Sequence, residues 1–120
     1  MNKYSPEDIL EIVVKAADDR RGQDILALNM QGISILSDYQ VIVTASSSRQ
    51  TMAIAQEVLQ SAAEQGIEAS IEGKADGHWL LVDLGMVVVH IFDEENRERY
   101  NLEGLWTEAP YAEIDQWLTD

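Results

Sequence analysis

Tyr39-Gln40-Val41-Ile42-Val43-Thr44-Ala45, followed at once by Ser46-Ser47-Ser48, is the stretch from which the fold can be read. The seven residues are rich in β-branched side chains, nearly all apolar and bounded by polar ones, the pattern of a central strand. Beyond the serines, Met52, Ile54, Ala55, Val58, Leu59 and Ala62 recur at helical spacing, with Gly66 as the expected C-cap. A further strand over Ile67 to Ile71 would complete a β-α-β unit, whose crossover is expected to be right-handed. The chain is therefore read as α/β from its middle outward.

Toward the N-terminus, Ser5-Pro6-Glu7-Asp8 is a helix start: serine caps, proline suits the first turn, and acids favour the positive end of the dipole. Ile9, Ile12, Val13, Ala16 and Ala17 continue it as one apolar stripe, widened by Leu10 and Val14, before Asp18 to Gly22 end it. Asp24 to Asn29 reads as a short strand closed by a turn at Gln31-Gly32. Toward the C-terminus, His78 to Asp83 and Met86 to Phe92 are strands separated by Leu84-Gly85, a tight hairpin. The second is apolar enough to be covered on both faces. Short helical turns follow through Arg99 and Leu105, and Pro110 punctuates. The last acidic segment sets Tyr111, Ile114, Trp117 and Leu118 on one helical face. The expected architecture is a single α/β domain on a mixed sheet of about five strands flanked by helices.

Eight Lys plus Arg stand against 22 Asp plus Glu, a formal net charge of −14 over 120 residues. Such a balance disfavours phosphate backbones and anionic membranes, which require cationic neutralisation, and favours a basic partner. The absence of cysteine excludes disulfides, thiolate nucleophiles and Cys-based zinc sites. The N-terminus reads as neither a signal nor a transit peptide, and no apolar stretch approaches the roughly 20 residues of a membrane span. The cytoplasm is the expected compartment, or an organelle stroma or matrix after processing.

Catalytic chemistry finds little support. The serine run precedes a helix, where an anion can bind, but ordinary capping explains it and no glycine lets the backbone wrap a phosphate. Asp83 with Asp93, Glu94 and Glu95 could approach a cation, yet a turn residue and an acidic helix start account for them. His78 and His90 have no cysteine and no histidine at i+4, so neither marks a zinc site. In a tight hairpin they would lie toward opposite ends of the register. The more informative group is aromatic: Trp79, Tyr100 and Trp106, with Leu102 and Leu105, among acids and near Arg97 and Arg99. A domain this small has difficulty burying all these rings, and Trp, Tyr and Arg anchor protein–protein contacts.

Glu72-Gly73, Trp79-Leu80-Leu81-Val82-Asp83-Leu84-Gly85, Val87 to Phe92, Arg97 to Glu103 and Leu105-Trp106 form a specific pattern. With Ser37-Asp38-Tyr39 and Ser48-Arg49-Gln50 upstream, it resembles the iojap family, the ribosomal silencing factors. The resemblance runs from Leu10 to Pro110, which divides the chain into a family domain over 1–110 and an acidic helical extension over 111–120. It implies a fold related to nucleotidyltransferases without their catalytic acids, hence no enzyme, no cofactor and no metal. It further implies a translation repressor that binds a basic protein of the large ribosomal subunit, the fourteenth of that subunit's series. From there it would sterically block association with the small subunit when nutrients are short. Carried over by position, the contact residues are Trp79, Asp83, His90, Tyr100, Leu102 and Trp106, with Glu72 and Glu103 as acidic support. Direct sequence-specific nucleic acid and membrane partners are not implied, and homodimerisation stays open. Two positions depart from the family: Met86 stands in place of an acid and Gln40 in place of an aromatic. The rival readings are a nucleotidyltransferase-like enzyme, with phosphate at the serine turn and metal at Asp83 or Asp93, and a large-subunit assembly factor.

Overall fold

The computed structural model describes residues 4–73 and 79–119. The first helix, α1 (Pro6–Asp19), begins in a full capping box, with Ser5 and Asp8 each accepting from the other's backbone N–H. After β1 (Gln23–Asn29) and β2 (Tyr39–Ala45), α2 (Ser48–Glu64) is capped by Ser47 and closed at left-handed Gly66. There follow β3 (Ser70–Gly73), β4 (Trp79–Asp83) and β5 (Val87–Asp93), then the short helices α3 (Glu94–Tyr100) and α4 (Leu102–Leu105). The five strands form one sheet in the order β1-β2-β5-β4-β3, with β2 and β5 parallel and every other pair antiparallel.

Alternation along the strands divides the side chains between two faces. Val41, Val43 and Ala45 of β2, Val87, Val89 and Ile91 of β5, and Leu80 and Val82 of β4 point to the inner face. There they pack against Ile9, Val13 and Ala17 of α1 and Ile54, Ala55 and Val58 of α2. The outer face carries a second cluster: Leu28, Met30, Ile42 and Phe92, roofed by Leu102 and Ala109, with Trp79 and Trp106 packed against it. Because the chain after β5 folds back over this face, β2 is buried along its whole length, as its composition demands.

Four expectations change. The β-α-β unit is split: β3 does run parallel in sense to β2, but the β4–β5 hairpin lies between them. Its strand also starts later than Ile67, whose N–H is used by Ala62 O to finish α2. Met52 lies on the exposed side of α2, outside the buried stripe. Val88 is only half-buried, so β5 is open on one side next to β4. Finally, the segment after Pro110 is not a helix on one face. Asn29 N–H donates to Pro110 O, Tyr111 bridges Leu28, and Ala112 N–H donates to Ala27 O. The free edge of β1 thus takes the backbone that a helix would have used internally, which also protects that edge. Tyr111 is left exposed, Ile114 enters the inner core, and only a 3-10 turn forms, Asp115–Trp117. His78 lies outside the described residues.

Candidate functional site

The register places three cross-strand rows on the outer face. Thr44, Phe92 and Trp79 form one, Ile42, His90, Leu81 and Glu72 the next, and Gln40, Val88, Asp83 and Ser70 the third. Paired residues share a face, so Glu72, Trp79, Asp83 and His90 project from the same side of the sheet. Over β1 and β2 this side is roofed by α4 and the chain beyond it; over β4 and β3 it is open among the described residues. Leu81 and Val88 are half-buried there, between exposed Glu72 and Asp83.

Aromatic rings border the open part. Trp79 packs at 5.1 Å from Phe92 and 4.7 Å from Tyr100, ring centre to ring centre, and Phe92 lies 5.9 Å from Tyr100. Trp106 sits 6.3 Å from His90, which lies 6.2 Å from Trp79. These tilted and stacked arrangements lie within the ring separations that favour aromatic pairing. Gly73, at φ 151°, allows β3 to close on β4 here: a Cβ would come within 2.6 Å of Trp79 O.

The border is held from behind by one cation. Asp93 caps α3, and left-handed Asn101 turns the chain into α4. From α3, Arg97 donates to Asp24 O, to Thr44 Oγ1 at 2.7 Å and to Glu103 Oε2 at 3.3 Å. The guanidinium thus joins the far ends of β1 and β2 to the two helices that carry Tyr100 and Glu103. Glu103 is part of this clasp rather than of the acidic rim formed by Glu72 and Asp83.

His90 is 6% exposed and Leu102 7%, so both lie beneath the surface that Trp79, Tyr100 and Trp106 present. Burial lowers the His90 imidazole to a pKa of about 4. Its Nε2 faces Gln40 Oε1 at 2.7 Å, while Gln40 Nε2 donates to Ser37 Oγ at 2.7 Å. Trp79 Nε1, His90 Nδ1 and Glu103 Oε1 are buried without a hydrogen-bonding partner among the described residues. Sequence reasoning missed Leu81 and Val88. The parity of Trp79, Leu81 and Asp83 would have found the first; the uniformly apolar β5 concealed the second.

The serine turn is filled by the protein itself. Ser46 donates through N–H and Oγ to Gln50 Oε1, Ser47 Oγ accepts from Gln50 N–H, and Gln50 Nε2 donates to Arg20 O and Arg21 O. Asp83 accepts from Gly85 N–H at 2.8 Å in the hairpin turn, at the opposite end of the β4–β5 pair from Asp93. Among the described residues, no three His, Asp or Glu side chains converge as metal ligands. Nor is any described helix long and apolar enough to cross a membrane.

The family model described as "Ribosomal silencing factor during starvation" matches residues 3–120. The ribosomal silencing factor of Bacillus subtilis is 48% identical over 116 residues, covering 96% of each chain. A crystal structure of a Chromobacterium violaceum protein superposes with a TM-score of 0.84 at 32% identity, covering 87% of this chain and 88% of that one. A mouse protein named for mitochondrial assembly of the ribosomal large subunit is 29% identical over 102 residues, which are 82% of this chain but 45% of the mouse protein.

Proposed function

The chain belongs to the ribosomal silencing factor family, and from that footing we propose that it represses translation by occupying the large ribosomal subunit. The observation that carries this reading is the composite outer face: a packed aromatic border, a half-buried apolar floor at Leu81 and Val88, and an acidic rim at Glu72 and Asp83. That combination suits a basic protein surface, with the rings buried at the centre and the acids steering approach. The partner is a basic protein of the large subunit, the fourteenth of that subunit's series, as the family resemblance implies. Trp79, Tyr100, Trp106, Glu72 and Asp83 make the contact, while His90, Leu102 and Glu103 hold them in place. A folded body of this size at the subunit interface prevents joining by bulk alone, with no chemical step. Its place of work is the compartment that holds the ribosomes.

Sedimentation of the tagged protein with purified large and small subunits tests the reading. The protein should travel with the large subunit, leave the small subunit free, and reduce the joined particle in proportion to its occupancy. Normal joining at saturating protein would overturn it. A second reading, action during large-subunit assembly, draws on the name of the mouse relative. It requires preference for precursor particles over mature ones in the same gradients.

A further inference from the structure

The segment joining β1 to β2 presents Ile33, Ile35 and Leu36 to solvent, with Ile35 fully exposed and Leu36 84% exposed. Leaving three large aliphatic side chains outside within four residues is costly in a free protein. Nor is this a loosely tethered stretch. Met30 N–H donates to Asp38 O across its base, Ile33 and Ser34 N–H both donate to Met30 O, and Ser34 Oγ accepts from Leu36 N–H. Gln31 N–H is held by Asn29 Oδ1, and Gly32 takes the left-handed conformation that the turn requires. At its far end Asp38 N–H donates to Met86 O, beside the β4–β5 hairpin.

The segment is also joined to the outer face. Ser37 Oγ accepts from Gln40 Nε2, Gln40 Oε1 meets His90 Nε2, and Gln40 pairs with Val88 in the row that ends at Asp83. The end of the segment is therefore tied to the row that holds Val88 of the open floor and reaches Asp83, and the segment carries an acid of its own, Asp38. We propose that Ile33, Ile35 and Leu36 are a second prong of the docking surface, seated in an apolar depression rimmed by Lys or Arg on the same basic ribosomal protein. This rests on the docking reading above and deepens it. The occupant follows from charge: a tip two residues from Asp38, tied to a row that reaches Asp83, on a chain of net charge −14, selects a cationic surround.

The test is the double variant Ile35→Ser, Leu36→Ser, titrated against purified large subunits beside the parent protein and Trp106→Ala. Both side chains are solvent-exposed, so the thermal midpoint should stay within a degree or two of the parent. Affinity should fall on the order of tenfold or more, and the loss should add to that of Trp106→Ala, since the two prongs make separate contacts. Parent-like affinity in the folded double variant would overturn the second prong while leaving the docking reading standing. Failure of the parent protein itself to bind would overturn both. Light scattering covers the remaining occupant: a parent dimer that the double variant converts to a monomer, with unchanged subunit binding, would assign the tip to a second copy and refute the proposal.

Discussion

Gln40 Oε1 lies 2.7 Å from His90 Nε2, a buried contact between residues fifty positions apart. Because Gln40 Nε2 is committed to Ser37 Oγ, its oxygen must accept, and Nε2 of the imidazole carries the proton. Burial is what holds His90 neutral, lowering its pKa from 6.5 to about 4. The sign of the pH dependence follows. As pH falls below 6.5 the unfolded chain takes up the proton first, so stability is full above that value and declines until about pH 4. The loss attributable to His90 is roughly 3 kcal/mol across that window. Denaturant unfolding at several pH values, for the parent and His90→Phe, isolates it from the carboxylates: the stability of the parent minus that of the variant should fall as pH drops from 6.5 to about 4. A constant difference would show that burial does not hold the imidazole neutral.

Trp79 and Tyr100 lie 4.7 Å apart but stand in different environments. Trp79 is half-buried against Phe92, whereas Tyr100 is 37% exposed on α3. Truncating Trp79 to Ala should cost about 2–4 kcal/mol of stability, since it opens a gap in a packed cluster. Tyr100→Ala should cost about 1 kcal/mol or less, yet weaken large-subunit binding on the order of tenfold. Chemical denaturation paired with a binding titration reads both. Parent-like binding by a well-folded Tyr100→Ala would remove that ring from the contact.

Arg97 and Glu103 form a half-buried pair, with side chains 13% and 25% exposed. Arg97→Ala would strand the Glu103 carboxylate and free Asp24 O and Thr44 Oγ1, at a cost of about 2–4 kcal/mol. Arg97→Lys should recover only part of this, because an ammonium cannot reproduce the planar fork that serves three acceptors. Glu103→Ala should cost less than Arg97→Ala, since Arg97 keeps its other two acceptors. Thermal unfolding of the three variants checks the order, and equal losses for Lys and Ala at position 97 would mean that geometry and charge are inseparable there.

How much of this was legible depended on whether the determining physics is local. Tyr39–Ala45 appears as a strand with the expected bounds because β-branched apolar residues in an unbroken run have one good solution. Ser5 caps α1 as its place before Pro6 predicts, and Asp8, expected only to favour the dipole, completes a capping box. By contrast, the insertion of β4 and β5 between β2 and β3 is a matter of long-range pairing, which periodicity does not encode. The segment from Tyr111 onward has helical spacing, but the open edge of β1 outcompetes the helix for its backbone. At the site, Glu72, Trp79, Asp83 and His90 could be named from the family pattern, while their common face required the register. Leu81, Val88 and the Arg97 clasp only become visible once that register is known.

The acidic rim bears on how docking responds to salt. Glu72 and Asp83 are exposed, and opposed charges at an aqueous interface are screened beyond roughly 8–10 Å at cellular ionic strength. They therefore hasten encounter and orient the partners, while the aromatic border and the apolar floor hold the complex. A protein that gripped ribosomal RNA would behave otherwise, because each neutralised phosphate releases condensed counterions. Six to ten such contacts lower affinity by about 10³–10⁵ between about 50 and 200 mM salt. With eight Lys plus Arg against 22 Asp plus Glu, the chain has few cations to offer RNA. The dissociation constant for large subunits should accordingly rise by less than about tenfold over that range, with the association rate changing more than the dissociation rate. A rise of about a thousandfold would place the phosphate backbone, and not a basic protein, at the centre of the contact.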